Sequence, residues 1–351
     1  MNYMRKKALK NILILLLLFA LLLPGGCGKE PVEETADTEY FEFEAVTEIQ
    51  PGRPNVYVVL KVLTSQYWQD IVRGITDAGN DCGANVYVGA TIGEGDWEIQ
   101  QSLMEEAVYR GADAIILAPG SSSRLTPYAK EVRKKGIPVI LVDTILNDTD
   151  SFDTCYMTDN LQAGELAAEE MILLLKESGL SENESASIAI QITSVSSQTV
   201  IDRLAGFNQY WSANAPKSWV VLDDVGLNNG DSELAKQNCI DVLETYPDIK
   251  GVFGCNNSST VGFANGLMET GRTDVVLIGF DYADETAKLV ASPQWCAATV
   301  VQSQYNMGYD GLMTAIQIIK GEAAAYKFID TGTLVIDENS YLTYEQSLAG
   351  E

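Results

Sequence analysis

Short apolar segments alternate with amphipathic segments along most of the chain after residue 54. The apolar segments are rich in β-branched residues, which is typical of strands that are buried on both faces of a sheet. Bounded by turn-forming residues, they predict nine strands. The predicted strands cover residues 56–60, 85–88, 114–117, 137–143, 187–192, 219–223, 251–255, 275–281 and 298–302.

The segments between these strands carry apolar residues at helical spacing. Ile71, Ile75 and Ala78 recur at positions i, i+4 and i+7, which marks the face of a helix that packs on a core. Similar stripes occur at Ile99, Leu103 and Ala107 and at Ala235, Cys239 and Val242. Strands and helices that alternate in this way predict an α/β fold with doubly wound parallel sheets.

Polar and aromatic side chains follow the carboxyl ends of several predicted strands. Ligands of doubly wound sheets lie beyond this edge, so we expect the functional site there. The chain contains no histidine, which excludes Ser/His/Asp and Cys/His catalysis and histidine-containing zinc sites. Any catalysis would therefore have to use carboxylate or lysine side chains. Gly93-Glu94-Gly95 lacks the third glycine of a dinucleotide-binding motif.

The chain is strongly acidic. It has 23 Lys and Arg against 49 Asp and Glu in 351 residues, a formal net charge of −26. Such a surface repels nucleic-acid phosphates and anionic membranes. The charge excludes nucleic acid as a partner and favours a small molecule.

The first 26 residues have the pattern of an export signal. Basic residues precede an apolar run over residues 12–23, and two glycines stand directly before Cys27. The run is too short to span a bilayer but has the length of a signal-peptide core. The segment resembles a bacterial lipobox, which implies cleavage before Cys27 and a lipid on its thiol; a plain secretory signal is the alternative. Either way, we expect an exported protein.

Residues 27–53 contain many acidic and few apolar residues, which predicts a solvated tether. The other cysteines show no ligand spacing, and we expect free thiols; one disulfide is the alternative that export permits. These cysteines are Cys82, Cys155, Cys239, Cys255 and Cys296.

Eight segments carry a resemblance to a known family. They are, in order, ADAIILAP (112–119), GIPVILVDT (136–144), TDNLQAGELAAE (158–169), DRLAGF (202–207), YPDIKGVFGCNN (246–257), VVLIGFD (275–281), ATVVQSQYNMGYDG (298–311) and IKGE (319–322). From residue 54 to about 342, the chain resembles type I periplasmic sugar-binding proteins, in particular their ribose-binding branch. The resemblance implies two lobes, three hinge crossings and a ligand in the cleft. The N-terminal lobe would comprise residues 54–158 and 303–330, and the C-terminal lobe residues 159–302 and 331–345.

The resemblance also implies ligand-binding residues. Aspartate and arginine side chains make paired hydrogen bonds to adjacent sugar hydroxyls, and sugar rings stack on aromatic rings. The implied residues are the carboxylates Asp143 and Asp281, the arginine Arg203, the carboxamides Asn256 and Gln302, and an aromatic sandwich of Tyr67 and Trp68.

Four positions of the expected site, Lys61, Ser65, Ala118 and Asn257, depart from the family pattern. A buried ammonium needs a partner. Lys61 beside the aromatic pair therefore predicts a ligand with an oxyanion, a diol or an extra acceptor. The alternative is a surface lysine that extends into solvent.

The resemblance implies a binding protein rather than an enzyme, with no catalytic residue, cofactor or metal. We expect a monomer, attached to the membrane only through its lipid, that captures a sugar or polyol by hinge closure and delivers it to an ABC permease. One alternative is a receptor for an autoinducer-type furanose or a sugar acid that presents its closed form to a sensor kinase. Another is a glycosidase that uses Asp143 and Asp281.

Overall fold

The structure is a computed structural model that describes residues 41–349. The predicted signal peptide, Cys27 and the first part of the predicted tether lie outside the described residues. Two α/β lobes, each with one mostly parallel sheet, make up the described chain.

The N-terminal lobe contains one seven-stranded sheet. Its strands are β1 (Phe41–Ala45), β2 (Asn55–Leu60), β3 (Asn85–Ala90), β4 (Ala114–Leu117), β5 (Val139–Val142), β6 (Thr154–Met157) and β13 (Phe328–Asp330). They lie in the order β1-β3-β2-β4-β5-β6-β13, and only β1 is antiparallel to its neighbour. Its helices are α1 (Gln66–Cys82), α2 (Trp97–Tyr109), α3 (Thr126–Lys134) and α9 (Gln304–Ile319). Helices α1 and α9 cover one face, and α2 and α3 cover the other.

The C-terminal lobe repeats this plan. Its strands are β7 (Ala186–Ile192), β8 (Trp219–Val221), β9 (Gly226–Leu227), β10 (Ile249–Gly254), β11 (Val276–Phe280), β12 (Ala297–Gln302) and β14 (Thr333–Ile336). They lie in the order β14-β12-β11-β10-β7-β8, with β9 beside β7 and β14 antiparallel to β12. Its helices are α4 (Asn160–Glu177), α5 (Gln198–Asn214), α6 (Ser232–Thr245), α7 (Asn257–Thr270), α8 (Asp284–Val290) and α10 (Tyr341–Ala349).

The two lobes share one strand order. Without β1, β9, β13 and β14, each lobe has five parallel strands, which we count in chain order as its first to fifth strands: β2, β3, β4, β5 and β6 in one lobe and β7, β8, β10, β11 and β12 in the other. In both sheets these strands lie in the flavodoxin-like order 2-1-3-4-5. The helix after the first strand packs on a helix that follows a crossing: α1 on α9, and α5 on α4. Glycines allow this approach, because a Cβ on Gly74 or Gly206 would overlap a backbone carbonyl of the facing helix. The predicted α/β fold with two doubly wound lobes is confirmed.

The chain passes between the lobes three times, between β6 and α4, between β12 and α9, and between β13 and β14. Hydrogen bonds join these crossings. Thr331 N donates to Met157 O at 3.0 Å, and Thr158 Oγ1 donates to Gln302 Oε1 at 2.9 Å. The three strands of the hinge therefore form one connected unit.

The tether prediction for residues 27–53 is wrong from Phe41 onward, because β1 joins the sheet there. Phe43 is buried and packs edge-on against Tyr57 at 4.8 Å, while Glu42 and Glu44 are exposed. Alternation of apolar and acidic residues is the pattern of a half-buried strand. The high acidic content of the segment hid this pattern.

All five cysteines of the described residues are free thiols. Burial raises the pKa of the Cys296 thiol to about 11 and that of the Cys239 thiol to about 12. No helix between residues 41 and 349 has the length and apolar content needed to cross a membrane.

Candidate functional site

A cavity with about 350 Å³ of empty volume lies between the lobes, at the carboxyl ends of strands from both sheets. All nine side chains predicted to bind ligand line it: Lys61, Ser65, Tyr67, Trp68, Asp143, Arg203, Asn256, Asp281 and Gln302. The structure thus brings the predicted residues together, and their contact with a ligand stays a prediction.

Asp143 and Asp281 reach the cavity through the same local geometry. Each directly follows the fourth strand of its lobe and adopts a left-handed backbone, with φ of 66° and 68°. Aspartate is among the few residues other than glycine that adopt this conformation. Their N–H groups donate to the fifth strands, to Tyr156 O at 2.9 Å and Val300 O at 2.8 Å. Both carboxylates are therefore held at fixed positions on the cavity wall.

Lys61 forms a buried ion pair inside the cavity. Its Nζ lies 2.7 Å from Asp143 Oδ2, donates to Thr144 Oγ1 at 2.9 Å and lies 5.5 Å from the centre of the Trp68 ring. Lys61 is only 4% exposed, so the alternative of a lysine that extends into solvent is wrong. Its ammonium has a carboxylate partner within the protein, and the oxyanion expected of the ligand is not required.

Asp143 accepts hydrogen bonds from three protein groups. Besides Lys61, the Tyr67 hydroxyl donates to Oδ1 at 2.6 Å and the Thr144 hydroxyl donates to Oδ2 at 2.6 Å. Burial alone raises the pKa of Asp143, but Lys61 and these hydrogen bonds outweigh it and lower the pKa below its ordinary value. Asp143 is therefore ionised at neutral pH.

Arg203 lies on α5 and is held on all sides by protein groups. Its Nε donates to Asn160 Oδ1 at 2.8 Å, Nη1 to Cys255 O at 2.9 Å and Nη2 to Gln302 Oε1 at 2.6 Å. The guanidinium also lies 4.0 Å from the centre of the Phe280 ring. It is a preorganised donor that a ligand would meet already oriented.

Gln302 connects Asp281 both to Arg203 and to the hinge. Its Nε2 donates to Asp281 Oδ1 at 2.8 Å, and its Oε1 accepts from Arg203 and from Thr158 of the first crossing. Burial raises the pKa of Asp281 to about 7, although Arg203 and the Gln302 hydrogen bond oppose this rise. The hydrogen-bonded path from Arg203 to Asp281 therefore runs through Gln302.

Tyr67 and Trp68 do not form the predicted sandwich. Their ring centres are 5.0 Å apart and their planes meet at 82°. A sandwich needs two nearly parallel rings on opposite sides of the ligand, whereas consecutive residues of one helix point about 100° apart. Both rings come from α1, so both lie on the same side of the cavity. Val200 supplies an apolar side chain from the C-terminal lobe.

Ser65 and Asn256 precede helices that begin at the cavity. Ser65 is the N-cap of α1, and Asn256 is the N-cap of α7. The Asn256 Oδ1 accepts from the Ser259 backbone N–H and hydroxyl. Asn256 therefore caps its helix as well as lining the cavity.

Four further cavity residues were missed by sequence reasoning: Glu94, Ser197, Thr199 and Val200. Asn257, one of the expected departures from the family pattern, lines the cavity as well. Glu94 lies in the loop after β3, and burial raises its pKa. The rule that ligands lie beyond the carboxyl ends of strands, applied to every loop, would have found Glu94 and Ser197. Within the described residues, no group of three or more acidic or cysteine side chains could hold a metal ion.

Direct hydrogen bonds across the cleft hold the lobes in a closed arrangement. Thr199 of α5 donates to Asp143 O at 3.0 Å, and its hydroxyl lies 2.8 Å from the Thr144 hydroxyl. Two more such bonds join Ser196 Oγ to Gly120 O at 3.3 Å and Gln198 N to Ser122 Oγ at 3.3 Å. The arrangement can enclose a small ligand between both lobes.

Known proteins are similar to this chain in sequence and in fold. The profile of the periplasmic binding protein domain matches residues 56–323. The D-allose-binding periplasmic protein of Escherichia coli is 28% identical over 289 residues, which cover 78% of this chain and 89% of that protein. A carbohydrate transporter solute-binding protein from Agrobacterium radiobacter, solved with D-arabinose, has a TM-score of 0.80 and 27% identity, and the match covers 85% of this chain and 99% of that one. A solute-binding protein of an ABC transporter from Agrobacterium vitis, solved with D-fucose, has a TM-score of 0.76 and 28% identity over 84% and 98% of the two chains.

Proposed function

Because the chain belongs to the periplasmic binding protein family, as its resemblance predicted, we propose that it captures a sugar or related polyol for an ABC importer. One observation carries this proposal: Asp143 of one lobe and Asp281 of the other line the same cavity between the lobes. The sugars named for its relatives, D-allose, D-arabinose and D-fucose, support the ligand class.

The charges of the cavity favour a neutral polyhydroxylated ligand. A sugar hydroxyl can donate to one protein group and accept from another, so it suits a wall with both carboxylates and cations. Lys61 is paired with Asp143, and the Nε, Nη1 and Nη2 groups of Arg203 all donate to protein oxygens. A sugar acid would therefore meet no cation that lacks an acceptor, and it would lie in the same cavity as the ionised Asp143. The receptor for a sugar acid is therefore not favoured.

Closure of the lobes is the proposed mechanism. A ligand that contacts Asp143 and Asp281 binds both lobes at once and favours the closed arrangement. Gln302 contacts Asp281, Arg203 and the Thr158 crossing, so it joins the ligand-facing wall to the hinge. The closed form is then the form that the permease recognises.

The proposal contains no catalytic step. Family members are binding proteins. In the glycosidase alternative, one carboxylate would act as a nucleophile or base. Asp143 already accepts from Lys61, Tyr67 and Thr144, which suits a fixed ligand contact better than a reactive group.

We also propose that the exported protein is held at the membrane by a lipid on Cys27. The support is sequence alone: the basic residues, the apolar run and the glycines before Cys27. Cys27→Ser should abolish incorporation of labelled fatty acid. The variant should then either be released into the medium or remain unprocessed. Cys296→Ser is the matched control and should keep the label. Labelled Cys27→Ser protein would contradict the anchor.

A sugar screen tests the proposed function. The purified exported protein is unfolded and refolded to remove carried-over ligand, then heated with D-allose, D-arabinose, D-fucose, polyols and sugar acids. A ligand that binds only the folded state raises Tm, and calorimetric titration gives its Kd. We expect a neutral sugar or polyol to raise Tm. Trp68→Ala should weaken that binding while the fold is kept, and a response to sugar acids alone would contradict the proposal.

A further inference from the structure

The hydroxyl of Ser197 is buried and has no hydrogen-bond partner. Ser197 is 6% exposed, and among the described residues that line the cavity its Oγ is the one buried side-chain oxygen or nitrogen without a partner. Burial of such a group without a partner is unfavourable. The group therefore points to something that the protein itself does not supply.

Ser197 occupies the N-cap of α5 but does not cap it. An N-cap serine usually accepts a hydrogen bond from an N–H of the first helical turn. The backbone of Ser197 has the extended conformation of an N-cap, with φ of −94° and ψ of 122°, yet its side chain makes no such bond. Asn256, at the same cavity, does cap its helix. The Ser197 side chain instead lies on the cavity wall.

Ser65 has the equivalent position in the N-terminal lobe. It is the N-cap of α1, it also makes no capping bond, and it lines the same cavity. Helices α1 and α5 both follow the first strand of their lobe. Each has a glycine nine residues after the serine, Gly74 and Gly206, at its contact with a hinge helix. The two serines therefore face one cavity from corresponding places in the two lobes.

Closure fixes the position of Ser197. The residue before it, Ser196, donates to Gly120 O, and the residue after it, Gln198, donates through its N–H to Ser122 Oγ. Gly120 and Ser122 belong to the N-terminal lobe. Ser197 is thus held between two contacts that exist only when the lobes are together.

We propose that Ser197 hydrogen-bonds a hydroxyl group of the bound sugar and makes this contact only in the closed form. The inference rests on the proposed function and adds a residue to its site. A serine hydroxyl both donates and accepts, so its natural partner is a neutral hydroxyl. The positive end of the α5 dipole favours an oxygen acceptor at the same place.

The test compares Ser197→Ala with the wild type in the full exported chain. Ligand-free Tm is measured first, followed by calorimetric titration with D-allose, D-arabinose and D-fucose. We expect an unchanged or slightly higher ligand-free Tm, because the hydroxyl makes no bond within the protein. For any of these sugars that binds, we expect Kd to rise about three- to tenfold, the effect of one neutral hydrogen bond.

Thr286→Val is the matched control. Thr286 on α8 is also buried with an unpartnered hydroxyl, but it does not line the cavity. The Kd of Thr286→Val for the sugar should equal that of the wild type. An equal rise in Kd for both variants would overturn the inference, since the effect would not be local.

The remaining outcomes separate the inference from the proposed function. A sugar that binds the wild type and Ser197→Ala with equal Kd overturns the inference alone. A clear loss of ligand-free Tm in Ser197→Ala overturns it too, because the serine would then cap α5. If none of these sugars binds the wild type but another sugar or polyol does, the same comparison is made with that compound. Failure of every neutral sugar and polyol overturns the proposed function, and the inference falls with it.

Discussion

Asp143 and Asp281 occupy equivalent positions at the ends of the fourth strands, with nearly equal φ, but their electrostatic surroundings differ. Asp143 is paired with Lys61 at 2.7 Å, and its pKa is lowered despite burial. Asp281 has the uncharged Gln302 as its hydrogen-bond donor, and burial raises its pKa to about 7. One side of the cavity therefore holds a permanent anion, and the other holds a carboxyl group that titrates near neutral pH.

This difference predicts a pH-dependent stability. Because the pKa of Asp281 is raised to about 7 in the folded state, the folded protein keeps a proton that the unfolded chain loses above its ordinary pKa near 4. The contribution of Asp281 is fully present below pH 4 and is lost as pH rises to 7. Without ligand, the unfolding free energy of wild type relative to Asp281→Asn should fall between pH 4.5 and 7 and then level off. Urea denaturation of both proteins at five pH values measures this difference in unfolding free energy. A difference that stays constant with pH would contradict the raised pKa of Asp281.

The Lys61–Asp143 pair predicts a strong single-mutant effect. Lys61→Met leaves a buried carboxylate without its cation, and breaking a buried pair costs about 3–5 kcal/mol. The double variant Lys61→Met/Asp143→Asn should recover part of that loss, because no charge remains unpaired. Urea denaturation gives both values. Lys134→Met removes an exposed pair with Glu131 and should change little; a double variant less stable than Lys61→Met would contradict the pairing argument.

Most of the fold could be predicted from apolar periodicity. Each of the nine predicted strands overlaps an observed strand, and both sheets are mostly parallel. The missed strands are β1, β6, β9, β13 and β14, which are short. Of these, β1, β13 and β14 lie at sheet edges, and exposed residues occur in each, such as Glu44, Phe328 and Leu334. An edge strand needs no continuous apolar run, and its pairing depends on where the hinge crossings bring the chain.

The membership of the candidate site could be predicted, but its internal pairing could not. The strand-end rule and the family resemblance placed Lys61 and Asp143 at one cavity. Their ion pair depends on strand order: β4 lies between β2 and β5, so the lysine must reach across the end of β4. Ala118 stands there and has no side chain beyond Cβ to fill that space. The short side chain of Ala118 thus leaves room for the pair between Lys61 and Asp143. These three positions are far apart in the sequence, so their fit becomes visible only in the packed structure.

The contacts of Thr199 across the cleft predict that this residue favours the closed form even without ligand. Its hydroxyl donates to Asp143 O and lies 2.8 Å from Thr144 Oγ1 in the other lobe, and Thr199→Val removes both polar contacts while it keeps the side-chain shape. We expect the ligand-free variant to populate more open forms and to show a larger radius of gyration in X-ray scattering. Thr270→Val, an exposed threonine bonded within its own helix, should scatter as the wild type does. Identical scattering of Thr199→Val and wild type would contradict a closing role for this contact.

The close approach of α5 to α4 at Gly206 predicts that helix packing and ligand binding are coupled. Alanine usually stabilises a helix by about 0.5–1 kcal/mol over glycine, but here its Cβ would overlap Leu161 O and lie 3.1 Å from Glu165 N on α4. Overpacking costs about 1–3 kcal/mol, so Gly206→Ala should lower the unfolding free energy. Separation of α4 from α5 also strains the 2.8 Å bond from Arg203 to Asn160, so sugar affinity should fall as well. Urea denaturation and calorimetric titration measure the two effects. Gly95→Ala, with nothing within 4 Å of the added Cβ, is the control, and equal stability of both variants would contradict the close approach of the helices.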